Sequence, residues 1–252
     1  MAATSYQRYL AEFVGTFALL LFGGGSAVFS LYYVTDPLSR VVLVSLSFGF
    51  VLAGLAYAFG DLSGGHFNPA VTISMAVSRR MPLRDVVPYL LAQVVGGLVG
   101  ISVVFAIVAG APSGAGSSTP PALNALGSQC YYSSSLSSLP GGCGFSLGAV
   151  FLIELALTFV FVLVIQLVTR PESSAKNLAP MAIGLALLVA NLVAIPVDGA
   201  SLNPVRSFSP AVLSLYWSNA QWAIQESWVF WVAPILGGVL AAIVERALRT
   251  TS

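Results

Sequence analysis

Six apolar runs divide this 252-residue chain, at about 8–34, 40–61, 84–110, 146–169, 177–197 and 227–248. Each is near or above the ~20 residues that an α-helix, rising about 1.5 Å per residue, needs to cross a ~30 Å hydrocarbon core. Lipid offers the backbone no hydrogen-bond partner, so a run that crosses it must satisfy its own N–H and C=O groups, as a helix does. The pattern predicts an all-α membrane protein with six transmembrane helices. Composition agrees: 57% of residues are hydrophobic and 8% charged, where soluble proteins carry roughly a quarter charged.

Two stretches break the pattern. Gly64-Gly65-His66-Phe67-Asn68-Pro69-Ala70-Val71-Thr72 lies between the second and third runs. Gly199-Ala200-Ser201-Leu202-Asn203-Pro204-Val205-Arg206-Ser207 lies between the fifth and sixth. In both, Asn can cap the free donors of a helix start with its side-chain oxygen, and Pro fits the first helical position. The apolar segment after each Asn-Pro is about 10 residues, roughly 15 Å and so half of a bilayer core. Glycine ahead of each Asn permits the unwound backbone that must precede a helix starting at membrane depth. Both stretches are therefore predicted to be re-entrant half-helices that together make one crossing.

The halves of the chain echo one another. Glu12-x-x-x-Thr16-Phe17 returns as Glu154-x-x-x-Thr158-Phe159, the Asn-Pro stretches correspond, and Gly96-Gly97 matches Gly237-Gly238. Correspondences in the same order mark an internal repeat. With three spans in each copy, the second enters the membrane from the opposite face, giving an inverted three-span repeat about a pseudo-two-fold axis in the membrane plane. The expected organisation is one channel-like transmembrane domain over 1–252: repeat one about 1–110, a loop about 111–145, and repeat two about 146–252. Gly96-x-x-x-Gly100 and Gly237-Gly238 are expected to serve close helix packing.

Charge placement gives orientation. Arg8, Arg79, Arg80, Arg84, Arg170, Lys176, Arg246 and Arg249 fall on one side, and only Arg40 and Arg206 on the other, so both termini are expected in the cytoplasm. The uncharged 111–145 loop then lies outside with Cys130 and Cys143, which could bridge there or remain free. Glu12, inside the first run and matched in the repeat, argues that this run is retained rather than removed as a signal peptide. A net charge of +1 gives no basic stripe for nucleic acid. One histidine, distant from both cysteines, makes no metal site, and no cofactor is implied.

Arg206 is the most informative single residue. It lies three positions after Asn203 and so shares a face with that cap at the start of the half-helix. An arginine at membrane depth is expensive, and one fixed at a constriction repels cations while donating hydrogen bonds to a neutral solute. Asn68 and Asn203 would each cap a helix with the side-chain oxygen and keep an amide NH2 for the lumen. Two converging helix N-termini place positive dipole ends at the midplane, which disfavours protons and other cations. Glu12 and Glu154 are read as acceptors for the unwound N–H groups ahead of each Asn rather than as a proton relay. His66 is expected to line the cytoplasmic vestibule or pack beside Asn68.

These features together resemble the aquaporin (major intrinsic protein) family: inverted three-span repeats, His66-Phe67-Asn68-Pro69-Ala70, Asn203-Pro204-Val205-Arg206-Ser207, and the two glutamates. The resemblance covers nearly the whole chain outside 111–145. It implies a homotetramer with a pore in each subunit, seated in the lipid bilayer of a plasma or inner membrane. It also implies a second constriction whose positions match Phe48, Asn191, Ala200 and Arg206. Asn191 departs from the pattern, since water-selective members usually have histidine there and glycerol facilitators a small or apolar residue. Ser207, Ala211 and the Phe230-Trp231 pair are similar to the water branch.

The expected function is passive, single-file conduction of water that excludes protons and ions. The alternative is a broader facilitator for glycerol, ammonia or other small neutral solutes. A secondary transporter would also use inverted repeats, but the Asn-Pro stretches carry no acid for a coupling ion. No nucleophile–base pairing suggests an enzyme.

Overall fold

The structure, a computed structural model, describes residues 3–110, 145–217 and 221–249. Cys130, Cys143 and nearly all of the 111–145 loop lie outside the described residues. Six helices are long and apolar enough to span a membrane: Ser5–Tyr33, Pro37–Ser63, Leu83–Ala109, Leu147–Val168, Ala179–Asp198 and Gln221–Ala247. Their bounds differ from the expected runs by a few residues, the largest difference being the earlier start of the sixth. No strand occurs among the described residues.

The first span is α1 (Ser5–Leu19) and α2 (Gly25–Tyr33), joined without interruption by a π-helical turn at Leu20–Gly24 that the apolar pattern did not foretell. Then follow α3 (Pro37–Ser63), the short α4 (Pro69–Val77) and α5 (Val86–Ala109). The second half supplies α6 (Leu147–Val168), α7 (Ala179–Asp198), α8 (Pro204–Trp217), a short α9 (Gln221–Glu226) and α10 (Val229–Ala247). At 14 residues, α8 is longer than the expected half-helix and α4, at 9, is close to it. The apolar Ala211–Trp217 stretch carries α8 onward past Pro210.

Local sequence sets the boundaries. Asp36 caps α3 by accepting from Ser39 N at 2.7 Å, with Pro37 in the first turn. Gly64 and Gly199 end α3 and α7 in the left-handed region, at φ 89° and 87°, the conformation in which glycine meets no Cβ penalty.

Helix contacts are reciprocal between the halves. Helix α3 packs on α7; α1 on α5 as α6 on α10; α4 on α10 as α8 on α5; and α4 meets α8. The paired glycines make this possible. A Cβ on Gly96 would sit 2.3 Å from the Phe13 carbonyl of α1, and one on Gly237 2.5 Å from the Leu155 carbonyl of α6. The next glycines admit the half-helices: a Cβ on Gly97 would fall 2.4 Å from the Val205 side chain, and one on Gly238 2.7 Å from the Ala70 carbonyl. The larger side chain of Val205, where the first half has Ala70, thus rests against Gly97.

Large apolar side chains such as Phe22, Phe50, Leu91, Leu152 and Ile243 are exposed around the outside. Lipid tails solvate such a surface, whereas water does not. On the face that carries both termini, Asp85 pairs with Arg8 at 2.9 Å, and Glu245 pairs with Arg170 at 2.9 Å and Arg249 at 3.0 Å.

Candidate functional site

Two short loops bring the half-helices together. Gly64, Gly65 and Phe67 adopt φ of 89°, 62° and 49°, and Gly199, Ala200 and Leu202 adopt 87°, 56° and 50°. The left-handed region costs a non-glycine residue about 1–2 kcal/mol, so Phe67, Ala200 and Leu202 need partners to hold them there. Glu12 takes the first loop, accepting from His66 N at 3.0 Å and Phe67 N at 2.8 Å. Glu154 takes the second, accepting from Ser201 N at 2.7 Å and Leu202 N at 2.8 Å.

The carbonyls of the same two residues are used across the repeat. Asn203 Nδ2 donates to Phe67 O at 2.9 Å, and Asn68 Nδ2 donates to Leu202 O at 2.8 Å. Each Asn also caps its own helix, Asn68 Oδ1 accepting from Ala70 N at 2.8 Å and Asn203 Oδ1 from Val205 N at 3.0 Å. Of the two amide hydrogens on each Asn, one therefore locks the opposite half. The amide is shared between structure and lumen rather than kept wholly for the lumen.

Both Asn side chains line a narrow cavity with Phe48, His66, Asn191 and Arg206. It leaves ≈ 40 Å³ for water-sized spheres. A single water needs about 10–15 Å³ measured this way, so the space suits a short file of waters. Phe48 and Leu52 from α3, Phe161 from α6 and Leu187 from α7 give it an apolar wall. Arg206 stands 5.5 Å from the Phe48 ring centre and its Nη2 donates to Gly199 O at 2.8 Å. The guanidinium is thus fixed by a carbonyl on one side and an aromatic face on the other. Asn191 turns its Nδ2 to Leu187 O at 2.8 Å.

Ala200 is buried behind the cavity and is not part of its wall. His66 lies where this cavity meets a wider one of ≈ 550 Å³ on the face of the termini, lined also by Arg80 and Tyr89. Its Nδ1 is 3.1 Å from Thr72 Oγ1, and its ring packs against Tyr89 at 5.3 Å.

The major intrinsic protein profile matches residues 1–245. The chain belongs to the major intrinsic protein family. Aquaporin Z of Rhodopseudomonas palustris is 39% identical over 242 residues, spanning 96% of this chain and 93% of that protein. Aquaporin Z of Photorhabdus laumondii subsp. laumondii is 36% identical, spanning 96% and 97%. Among solved structures, the aquaglyceroporin from Plasmodium falciparum superposes with a TM-score of 0.76 at 23% identity, covering 97% of both chains. That likeness concerns the fold alone.

In this member of the major intrinsic protein family, several groups at the site escaped the sequence reading. Gln93 and Ser63 each donate to Glu12 at 2.7 Å, and Tyr89 donates to Ser63 O at 2.8 Å. Gly23, in the π-helical turn, lies directly behind Phe48: a Cβ there would fall 2.4 Å from the ring. Glycines at 23–25 inside an apolar run were the available signal. Asp198 is a further acid at the second loop, where its Oδ1 accepts from Ala200 N at 2.8 Å. The Asn-Pro stretches themselves carry no acid, but the fold sets Glu12, Glu154 and Asp198 beneath them, each accepting from backbone N–H groups.

Proposed function

We propose that this protein is a passive water channel that conducts single file and excludes protons and ions. One observation carries the reading: Asn68 and Asn203 meet at the joined N-termini of α4 and α8, on a cavity with room for only a short file of waters. Their free amide hydrogens orient a passing water, and the two helix dipoles repel a proton or metal cation at the same level. Arg206 adds a fixed positive charge, and with Phe48 and Asn191 it forms the narrow outer constriction, Ala200 contributing backbone behind it. Glu12 and Glu154 hold the loops, and His66 lines the vestibule. The relatives' name, aquaporin, supports the same reading.

The chain acts as one channel unit over 1–252 and forms a homotetramer, each subunit with its own pore. Both termini are cytoplasmic and the bilayer is the inner membrane, in keeping with the bacterial relatives and with the arginines on the terminal face. Proteoliposomes challenged in a stopped-flow device with an impermeant osmolyte and, separately, with glycerol test the proposal. Shrinkage well above that of empty vesicles, with slow glycerol re-swelling, is expected. Unaccelerated shrinkage by folded protein would overturn it, and fast re-swelling would move the assignment to a facilitator of small neutral solutes.

A further inference from the structure

Asp198 is a buried acid, 3% exposed at the end of α7, and it lines neither cavity. It and the fully buried Glu154 hold three consecutive backbone N–H groups, Asp198 that of Ala200 and Glu154 those of Ser201 and Leu202. The two carboxyls thus take successive N–H groups of one turn and lie beside each other there. Carboxyl groups so placed can share one proton, as an acid beside a carboxylate. Two bare carboxylates packed together away from water do not both stay ionised.

The first repeat solves the same problem differently. Five residues before Asn68 stands Ser63, whose hydroxyl donates to Glu12, and Gln93 adds a second neutral donor. Five residues before Asn203 stands Asp198, and the position matching Gln93, three before the paired glycines, is Pro234. At these two positions the second half has neither neutral donor, and an acid stands where the serine would be.

The Gly199–Ala200 peptide connects this pair to the lumen. Its carbonyl accepts from Arg206 Nη2 at 2.8 Å and its N–H donates to Asp198. Arg206 of α8 is the cation set against the pair. Glu154 and Asp198 are the only charged residues of α6 and α7. On the helices packed against them, Arg40 at the start of α3 is turned to the Val34 carbonyl, Asp61 lies at the other end of α3, and Glu245 and Arg246 lie at the far end of α10.

We propose that Asp198 is a positioning residue for Arg206, acting through the Gly199–Ala200 peptide as one half of a proton-sharing pair with Glu154. This rests on the reading of Arg206 as a constriction residue. Loss of the shared proton sets a second negative charge against the first, so one carboxyl leaves the loop and the peptide that holds Arg206 turns with it.

Infrared spectra of the reconstituted full-length protein at neutral pH test the proton directly. A protonated-carboxyl stretching band present in the wild type is expected to vanish in Asp198→Ser, which copies the Ser63–Glu12 arrangement, and in the near-isosteric Asp198→Asn. Identical spectra in that region overturn the pair. Water permeability measured against pH tests the positioning role: the wild type is expected to fall reversibly at alkaline pH, while the Asp198→Ser profile stays flat over that range at whatever level it has. Matching profiles overturn the positioning role. If wild-type vesicles conduct no water at any pH, the constriction reading itself fails, and the infrared comparison still decides the pair.

Discussion

At Asn191 one amide hydrogen is tied to Leu187 O, which leaves the oxygen and the second amide hydrogen to face a molecule in the cavity. A histidine there is bulkier and would narrow the gap to Arg206. Asn191→His is therefore expected to lower glycerol permeability more than water permeability; an unchanged ratio in paired stopped-flow assays would show that this position does not set selectivity. Behind the opposite wall, Gly23→Ala drives a methyl into the Phe48 ring. Overpacking of this kind costs about 1–3 kcal/mol, and the ring has the cavity to move into. Reduced water permeability with a modestly lowered melting temperature in detergent is expected, and wild-type permeability would contradict the placement of Phe48. Asn68, Asn203 and Arg206 were legible in the sequence because each belongs to a short contiguous motif with one physical meaning. Asp198 and Gln93 were not, because their partners, Glu154 and Glu12, lie on other helices and come near only once the bundle forms.

Among the elements, the two re-entrant loops share one backbone path but different support. Glu12 receives four donors, from Ser63, His66, Phe67 and Gln93. A glutamine there turns an amide NH2 toward two of them, and a buried donor left unsatisfied costs about 1–3 kcal/mol. In Glu154→Gln the new NH2 can donate to Asp198, which offsets part of the loss. Thermal unfolding in detergent should therefore rank Glu12→Gln as the more destabilising change; equal losses would contradict the different support of the two loops. Spans and half-helix starts were readable from hydropathy and from Asn-Pro. The π-helical turn at Leu20–Gly24 was not, since its residues are as apolar as their neighbours and only packing against Phe48 and Ile101 distinguishes them. Nor does the half-bilayer length of a re-entrant helix foretell α8, which continues beyond Pro210 to Trp217.

Over the whole molecule, the repeat creates a site that neither half contains. Asn68 completes the loop of the second half and Asn203 that of the first, so the two loops hold only when the bundle closes. The order of spans and the reciprocity of the halves were legible because lipid fixes span length and duplication fixes correspondence. The cavity width was not, since it depends on how closely glycines let the helices approach. The proposed tetramer predicts a detergent-corrected mass four times that of the chain; a monomer mass in mild detergent would contradict it. The proposed channel passes water at this junction and holds protons back. Vesicles holding a trapped pH-sensitive dye, mixed at once with an impermeant osmolyte and a pH step, report both fluxes together. Accelerated shrinkage with an internal pH that relaxes no faster than in empty vesicles is the predicted result. Shrinkage no faster than in empty vesicles, or a pH gradient that collapses faster than in them, would contradict the proposed function.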